Sequence, residues 1–137
     1  MGYRSDVAYT IRFTDDHDTN NEQAFYTFLL EAKANPKLQI ALAEVKVDAK
    51  KQMFTYYASD VKWYDSYPDV DSHMALVHLA EEWSCQVSEG KLNCRIGAMF
   101  LRIGEESKDI EERFSGDYDH EWMSISRSIN TDWSWHE

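Results

Sequence analysis

The spacing of large apolar residues changes period repeatedly along this chain, from strict alternation to a helical stripe and back. A chain patterned in this way has to fold as helices packed on a sheet. Val7, Tyr9, Ile11 and Phe13 alternate with smaller or polar residues and share one face of a strand. Thr14 to Asn21 is turn chemistry that also supplies a helix N-cap. From Glu22 to Asn35, the residues Ala24, Phe25, Phe28, Leu29 and Ala32 make one helical stripe. Asn35-Pro36 ends it, because the residue before proline avoids the helical region. Lys37 to Ala43 fits either a short second helix or a direct lead into a strand.

Val45 to Asp48 and Met53 to Tyr57 alternate on either side of the polar Ala49 to Gln52, the pattern of a β-hairpin. Val61 to Tyr64 is expected to extend its second strand after a bend near Ser59 and Asp60. Pro68 to Ser84 reads as the next long helix, with Asp69 or Asp71 as its cap. Val70, Met74, Val77, Ala80 and Trp83 form its inward face, widened by Leu76 and Leu79. Ile96 to Ile103 reads as a strand, Ile110 to Phe114 as a short edge strand, and Trp122 to Ile129 as the last strand. That last strand would place Trp122, Ser124, Ser126 and Ser128 on one face and Met123, Ile125, Arg127 and Ile129 on the other. The expected fold class is α+β with the ferredoxin-like order β-α-β-β-α-β. Its antiparallel sheet carries both helices on one face and gains one or two extra strands at the C-terminal end. With five Gly, two Pro, no repeat and no low-complexity stretch, residues 1–137 read as a single domain.

Charge narrows the function. Fourteen Lys and Arg face 25 Asp and Glu, a formal net charge of −11. Such a chain repels nucleic acid and anionic membranes at long range, so neither is an expected partner. The charge serves solubility, or it docks on a basic protein surface. No apolar run approaches the roughly 20 residues that span a bilayer, and Met1 to Asp6 lacks the apolar segment of a signal peptide. The protein is expected to stay in the compartment where it is made, and Cys85 and Cys94 are expected there as free thiols. The residues between them can also form a hairpin, which would bring the two sulfurs close.

Two segments stand out as partner-binding candidates. Glu105, Glu106, Asp109, Glu111, Glu112, Asp117, Asp119 and Glu121 are eight carboxylates within 17 positions, opposed only by Lys108 and Arg113. On an edge strand and its loops they can mimic phosphate spacing and steer onto Lys- and Arg-lined channels; the same run also serves as a solvated face that protects an edge. Trp63, Tyr64, Asp65 and Tyr67 interleave aromatics with charge, the composition of an interface anchor, although Trp63 and Tyr64 equally suit a strand–helix turn in the core. Trp133 and Trp135 in the tail, and a sheet face without helices, suit a homodimer contact. No cofactor and no metal site is expected. His73 and His78 are five apart, about 140° around a helix, and Asp15 to Asp18 lacks an EF-hand pattern. There is no nucleophile elbow, phosphate-cradling glycine loop or dinucleotide fingerprint, and neither cysteine has an obvious basic partner, so the chain is not expected to be an enzyme.

Gly2 to Val7, Val61 to Val70, Arg102 to Glu105 with Asp109 to Glu112, and Ser124 to Ile129, taken together and in order, resemble a family of small proteins encoded by bacteriophages and prophages. The resemblance spans the chain but carries no catalytic signature. It implies a phage-related origin and a host-cytoplasm location. The resulting expectation is a stoichiometric inhibitor of anti-CRISPR type, which binds a host defence or nucleic-acid-handling protein by presenting acid to its basic channel. A homodimeric assembly protein without inhibitory activity is the alternative, and a divalent-metal enzyme on Asp15 to Asp18 a third.

Overall fold

The structure, a computed structural model, describes residues 2–13, 19–106, 108–125 and 129–131. In chain order the elements are β1 (Ser5–Phe13), α1 (Thr19–Ala34), a 3-10 turn (Pro36–Leu38), α2 (Gln39–Glu44), β2 (Lys46–Asp48) and β3 (Met53–Val61), then α3 (Pro68–Ser88), β4 (Ile96–Gly104), β5 (Ile110–Gly116), β6 (Met123–Ile125) and β7 (Ile129–Thr131). The first five strands form an antiparallel sheet in the order β2-β3-β1-β4-β5, and β6 and β7 pair separately. The protein is therefore α+β, with three α-helices and a five-stranded antiparallel sheet among the described residues.

The alternation in β1 explains the layering. Val7, Tyr9, Ile11 and Phe13 point at the helices and are fully buried with Phe54 of β3 and Phe100 of β4. Phe25 and Phe28 of α1 and Trp83 of α3 close over them. Phe13 meets Phe25 edge-on at 6.0 Å and Trp83 at 5.9 Å, and Phe28 meets Trp83 at 5.3 Å. Such pairs add about 0.5–1.5 kcal/mol each beyond the area they bury.

The other face of the sheet is partly covered. Ala8, Met99 and Leu101 are buried there beneath Trp122, Met123 and Ile129. The Arg12 guanidinium lies 4.7 Å from the centre of the Trp122 ring, which draws the cation over the aromatic face. Where the sequence suggested an uncovered face, part of it is covered by this lid of the chain's own residues. The lid also corrects the single strand expected from Trp122 to Ile129. One strand would turn neighbouring Trp122 and Met123 to opposite faces, yet both are buried because the strand begins only after Trp122. Two short strands, β6 and β7, replace it and pair with each other, with Met123 and Ile129 in the same apolar cluster. Ser126, Arg127 and Ser128, together with Asp15 to Asp18 and the tail tryptophans Trp133 and Trp135, lie outside the described residues.

Other boundaries shift for local reasons. The ambiguous Lys37 to Ala43 resolves into the 3-10 turn and α2, with Asn35 as the cap: its side chain accepts from the Lys37 amide. β3 ends at Val61, after a bulge and a left-handed Asp60 (φ 58°), so Lys62 to Tyr64 do not extend it. α3 has Tyr67 as its N-cap, without a side-chain bond; Asp69 and Asp71 lie in its first turn, where carboxylates favour the positive end of the helix dipole. The helix runs on to Ser88, which places Cys85 inside its last turn and rules out a hairpin between the cysteines. Both thiols are free, Cys85 exposed and Cys94 buried.

Candidate functional site

The two candidate segments meet around the β4–β5 edge of the sheet. β4 carries Arg102 opposite Glu111 of β5. The Arg102 guanidinium donates to both oxygens of Asp109, at 2.7 and 3.2 Å, to Glu111 at 3.2 Å and to the Ser5 hydroxyl at 3.2 Å. Tyr3 donates its hydroxyl to Asp109 at 2.7 Å and accepts the Glu106 amide at 3.0 Å. The backbone between the strands approaches this cluster closely enough that any side chain at Gly104 would run into Asp109 and the Tyr3 hydroxyl. Arg102, aided by Tyr3, pulls the Asp109 carboxyl down to about 2. The bidentate pair is the strong form of such contacts.

A second arginine neutralises one more carboxylate of the run, and a third is taken up by α3. Arg95 binds Asp117 at 2.7 Å. Arg113, on the helix side of β5, grips Glu81 of α3 at 2.8 and 2.9 Å. Burial alone would raise the Glu81 carboxyl; its bonds to Arg113 and His78 outweigh that and hold it below its ordinary value. Asp119 accepts the Glu121 amide at 2.9 Å and shapes a turn. Of the eight carboxylates singled out in the sequence, Asp109, Glu111 and Asp117 are thus bound to arginines, and Asp119 has a backbone bond. Glu105, Glu106, Glu112 and Glu121 are exposed, with no ion pair among the described residues.

The aromatic segment divides in the same way. Trp63 packs into the core, 6.3 Å from Phe100 and 5.9 Å from the His73 ring. The Tyr64 hydroxyl accepts the Tyr3 amide at 2.6 Å and so fastens the segment before β1. Tyr67 meets Tyr64 edge-on at 5.2 Å and is 38% exposed, and Asp65 is exposed. Between α3 and β5 runs a groove of about 330 Å³, floored by Val70, Met74 and Ala75 and edged by Asp65, Glu111 and Arg113. It brings one member of each sequence candidate, Asp65 and Glu111, to one place; Trp63 and Tyr64 do not line it.

One further polar group escaped the sequence reading. The Tyr9 hydroxyl lies 2.7 Å from His73 Nδ1, and His73 Nε2 lies 2.6 Å from Glu44. The arrangement is satisfied by a neutral imidazole that accepts from Tyr9 and donates Nε2–H to Glu44. Tyr9 and His73 are fully buried, and the Tyr56 ring stacks 4.0 Å from the imidazole. Burial lowers the His73 pKa, only partly offset by Glu44, and pushes Tyr9 well up. With neither side chain open to solvent, this chain of bonds ties α2 to α3 and β1. The Ala41 amide adds to the tie by donating to Ser72 at 2.9 Å. The signal was present in the sequence: His73 falls on the same helical stripe as Val70, Val77 and Ala80.

No protein-family model, no curated protein and no solved structure matches this chain. Among the described residues, no group of three His, Cys, Asp or Glu is placed to hold a metal ion, and no helix is long and apolar enough to cross a membrane.

Proposed function

We propose that this chain is a binding protein that occupies the basic, nucleic-acid-handling surface of a host protein, as a phage-encoded inhibitor of anti-CRISPR type would. The observation that carries the reading is the sorting of carboxylates at the β4–β5 end. Arginines of the chain hold Asp109, Glu111 and Asp117 in place, while Glu105, Glu106, Glu112 and Glu121 face solvent with no ion pair among the described residues. A net charge of −11 adds long-range attraction to any basic groove and speeds encounter at low salt. Tyr67 and Phe114, at 38% and 36% exposure, supply aromatic area beside the acid. The phage origin rests on the segments quoted above. The ferredoxin-like reading of the frame is supported by the order β2-β3-β1-β4 with antiparallel neighbours throughout; β5 is then one of the additional strands.

The test is a fourfold variant, Glu105→Lys, Glu106→Lys, Glu112→Lys and Glu121→Lys, which leaves the arginine-bound carboxylates alone. The wild-type chain should retain a basic nuclease or polymerase from bacterial lysate at low salt, release it at high salt, and block its nucleic-acid binding at equimolar ratio. The variant should do none of this. Equal capture and equal inhibition by the folded variant would refute the acidic docking face.

A further inference from the structure

The register of the β4–β5 hairpin determines which backbone groups of β5 remain for a partner. The Gly104 amide donates to the Asp109 carbonyl and the Asp117 amide to the Ile96 carbonyl, so these two facing pairs stand at hydrogen-bonded positions of the ladder. In an antiparallel ladder such pairs alternate with pairs whose N–H and C=O point outward. Counting in from both ends, Glu111, Arg113 and Ser115 bond to β4, while Glu112 and Phe114 turn their backbone groups to the outer edge, which no strand covers among the described residues. β5 is the last strand of its sheet on that side. Side by side with that edge runs the groove floored by Val70, Met74 and Ala75 of α3.

We infer that the β5 edge and the α3 groove form a β-augmentation site for an extended protein segment in which basic and apolar residues alternate. The inference rests on the docking function proposed above and specifies its partner. A strand added to β5 must bond to Glu112 and Phe114, and the side chains of its bonding residues then lie on the same face as theirs. On that face Glu112 is exposed with no ion pair among the described residues, and Phe114, stacked on Tyr118, is 36% exposed, so Lys or Arg fits there, by charge pairing and against the exposed part of the ring. The intervening side chains turn to the helix face, into the groove. There Arg113 is held by Glu81 and Lys37 lies 3.6 Å from Asp71, which leaves the apolar floor for an apolar residue. Charge also rules out a second copy as the occupant. Two β5 strands laid edge to edge would bring their Glu111 and Glu112 carboxylates together.

The probe is a synthetic decapeptide of alternating Lys and Val, compared with the same peptide N-methylated on its bonding amides. The methylated peptide keeps the side chains and charge but cannot pair. Nitrogen-15 NMR with amide exchange should show slowed exchange at Glu112 and Phe114 and shifts along β5 and the facing turns of α3, with the unmodified peptide only. Glu112→Pro removes an outward amide and is tolerated at an edge; it should weaken binding about tenfold or more. Ala75→Arg, which fills the groove floor without touching the sheet, should do the same and keeps the test open should the proline variant fail to fold. Equal binding of the methylated peptide, or no protection at Glu112 and Phe114, would overturn the augmentation site while leaving an acidic docking face. No binding of either peptide at low salt would overturn both.

Discussion

Replacing Tyr9 by Phe removes a single oxygen from the core and leaves the ring in place. That oxygen donates to His73 Nδ1 at 2.7 Å, in a site where both residues are fully buried. The variant strands a ring nitrogen with no donor, and a buried acceptor left unsatisfied costs about 1–3 kcal/mol. For a chain of this length each kcal/mol lowers Tm by roughly 4 °C, so Tyr9→Phe should melt roughly 4–12 °C below the parent. Urea unfolding should give the same loss with an unchanged m-value, since the exposed area hardly differs. Glu44→Gln keeps an acceptor for Nε2–H and should cost less. The pH dependence follows from the same bonds. Burial holds His73 below its ordinary 6.5, so the unfolded chain binds a proton first as pH falls. Stability from the neutral imidazole is complete above about 6.5 and is lost as pH falls through the folded-state value. A Tyr9→Phe protein within about 0.5 kcal/mol of the parent would refute the Tyr9–His73 bond as a stabilising contact. A parent whose stability does not decline below 6.5 would refute the neutral, buried histidine.

Arg102→Leu should let the Asp109 carboxyl climb from about 2 back toward 3.8, read by carbon-13 NMR titration. In the parent, the stability from this pair is present above 3.8 and lost as pH falls toward about 2, and the variant should lose that acid dependence. Phe28→Ala empties a site enclosed by Phe13, Phe54 and Trp83 and should cost about 3–5 kcal/mol by chemical denaturation. Iodoacetamide should label exposed Cys85 in the native protein and reach Cys94, whose thiol burial pushes up, only after unfolding, as intact mass will show.

Local periodicity carried much of the fold. β1 and the stripe of α1 were legible because each element's own residues declare its buried face. What periodicity conceals is how many turns or strands share a pattern. Met123, Ile125 and Ile129 alternate as one strand would, yet they are divided between β6 and β7, which pair with each other across Ile125 and Ile129, a long-range outcome that alternation does not encode. The same limit applied to the site. The density of carboxylates was plain, yet Arg102 read as one more polar position at the end of an apolar strand. Its role depends on the β4–β5 register, which sets it opposite Glu111 and within reach of Asp109. Glu111 and Asp117 looked equivalent to Glu112 in sequence; arginines on β4 and just before it distinguish them in space.

The place of β1 in the sheet has a consequence for the order in which the protein is assembled. β1 precedes the other strands in the chain but is central in space: Tyr9 pairs with Tyr56 on one side and with Phe100 on the other. At ribosomal rates the wait between making Tyr9 and making Phe100 is on the order of 5–20 s. Until β3 is made the strand that carries Val7, Tyr9, Ile11 and Phe13 has two unpaired edges, and until β4 is made it keeps one; such late, long-range pairing also makes for slow folding in solution. Asp6 on one flank and Asp15, Asp16 and Asp18 on the other are the charges that keep such a segment from joining its neighbours on a polysome. The acidity of this chain thus has work to do before there is any folded surface for a partner to meet.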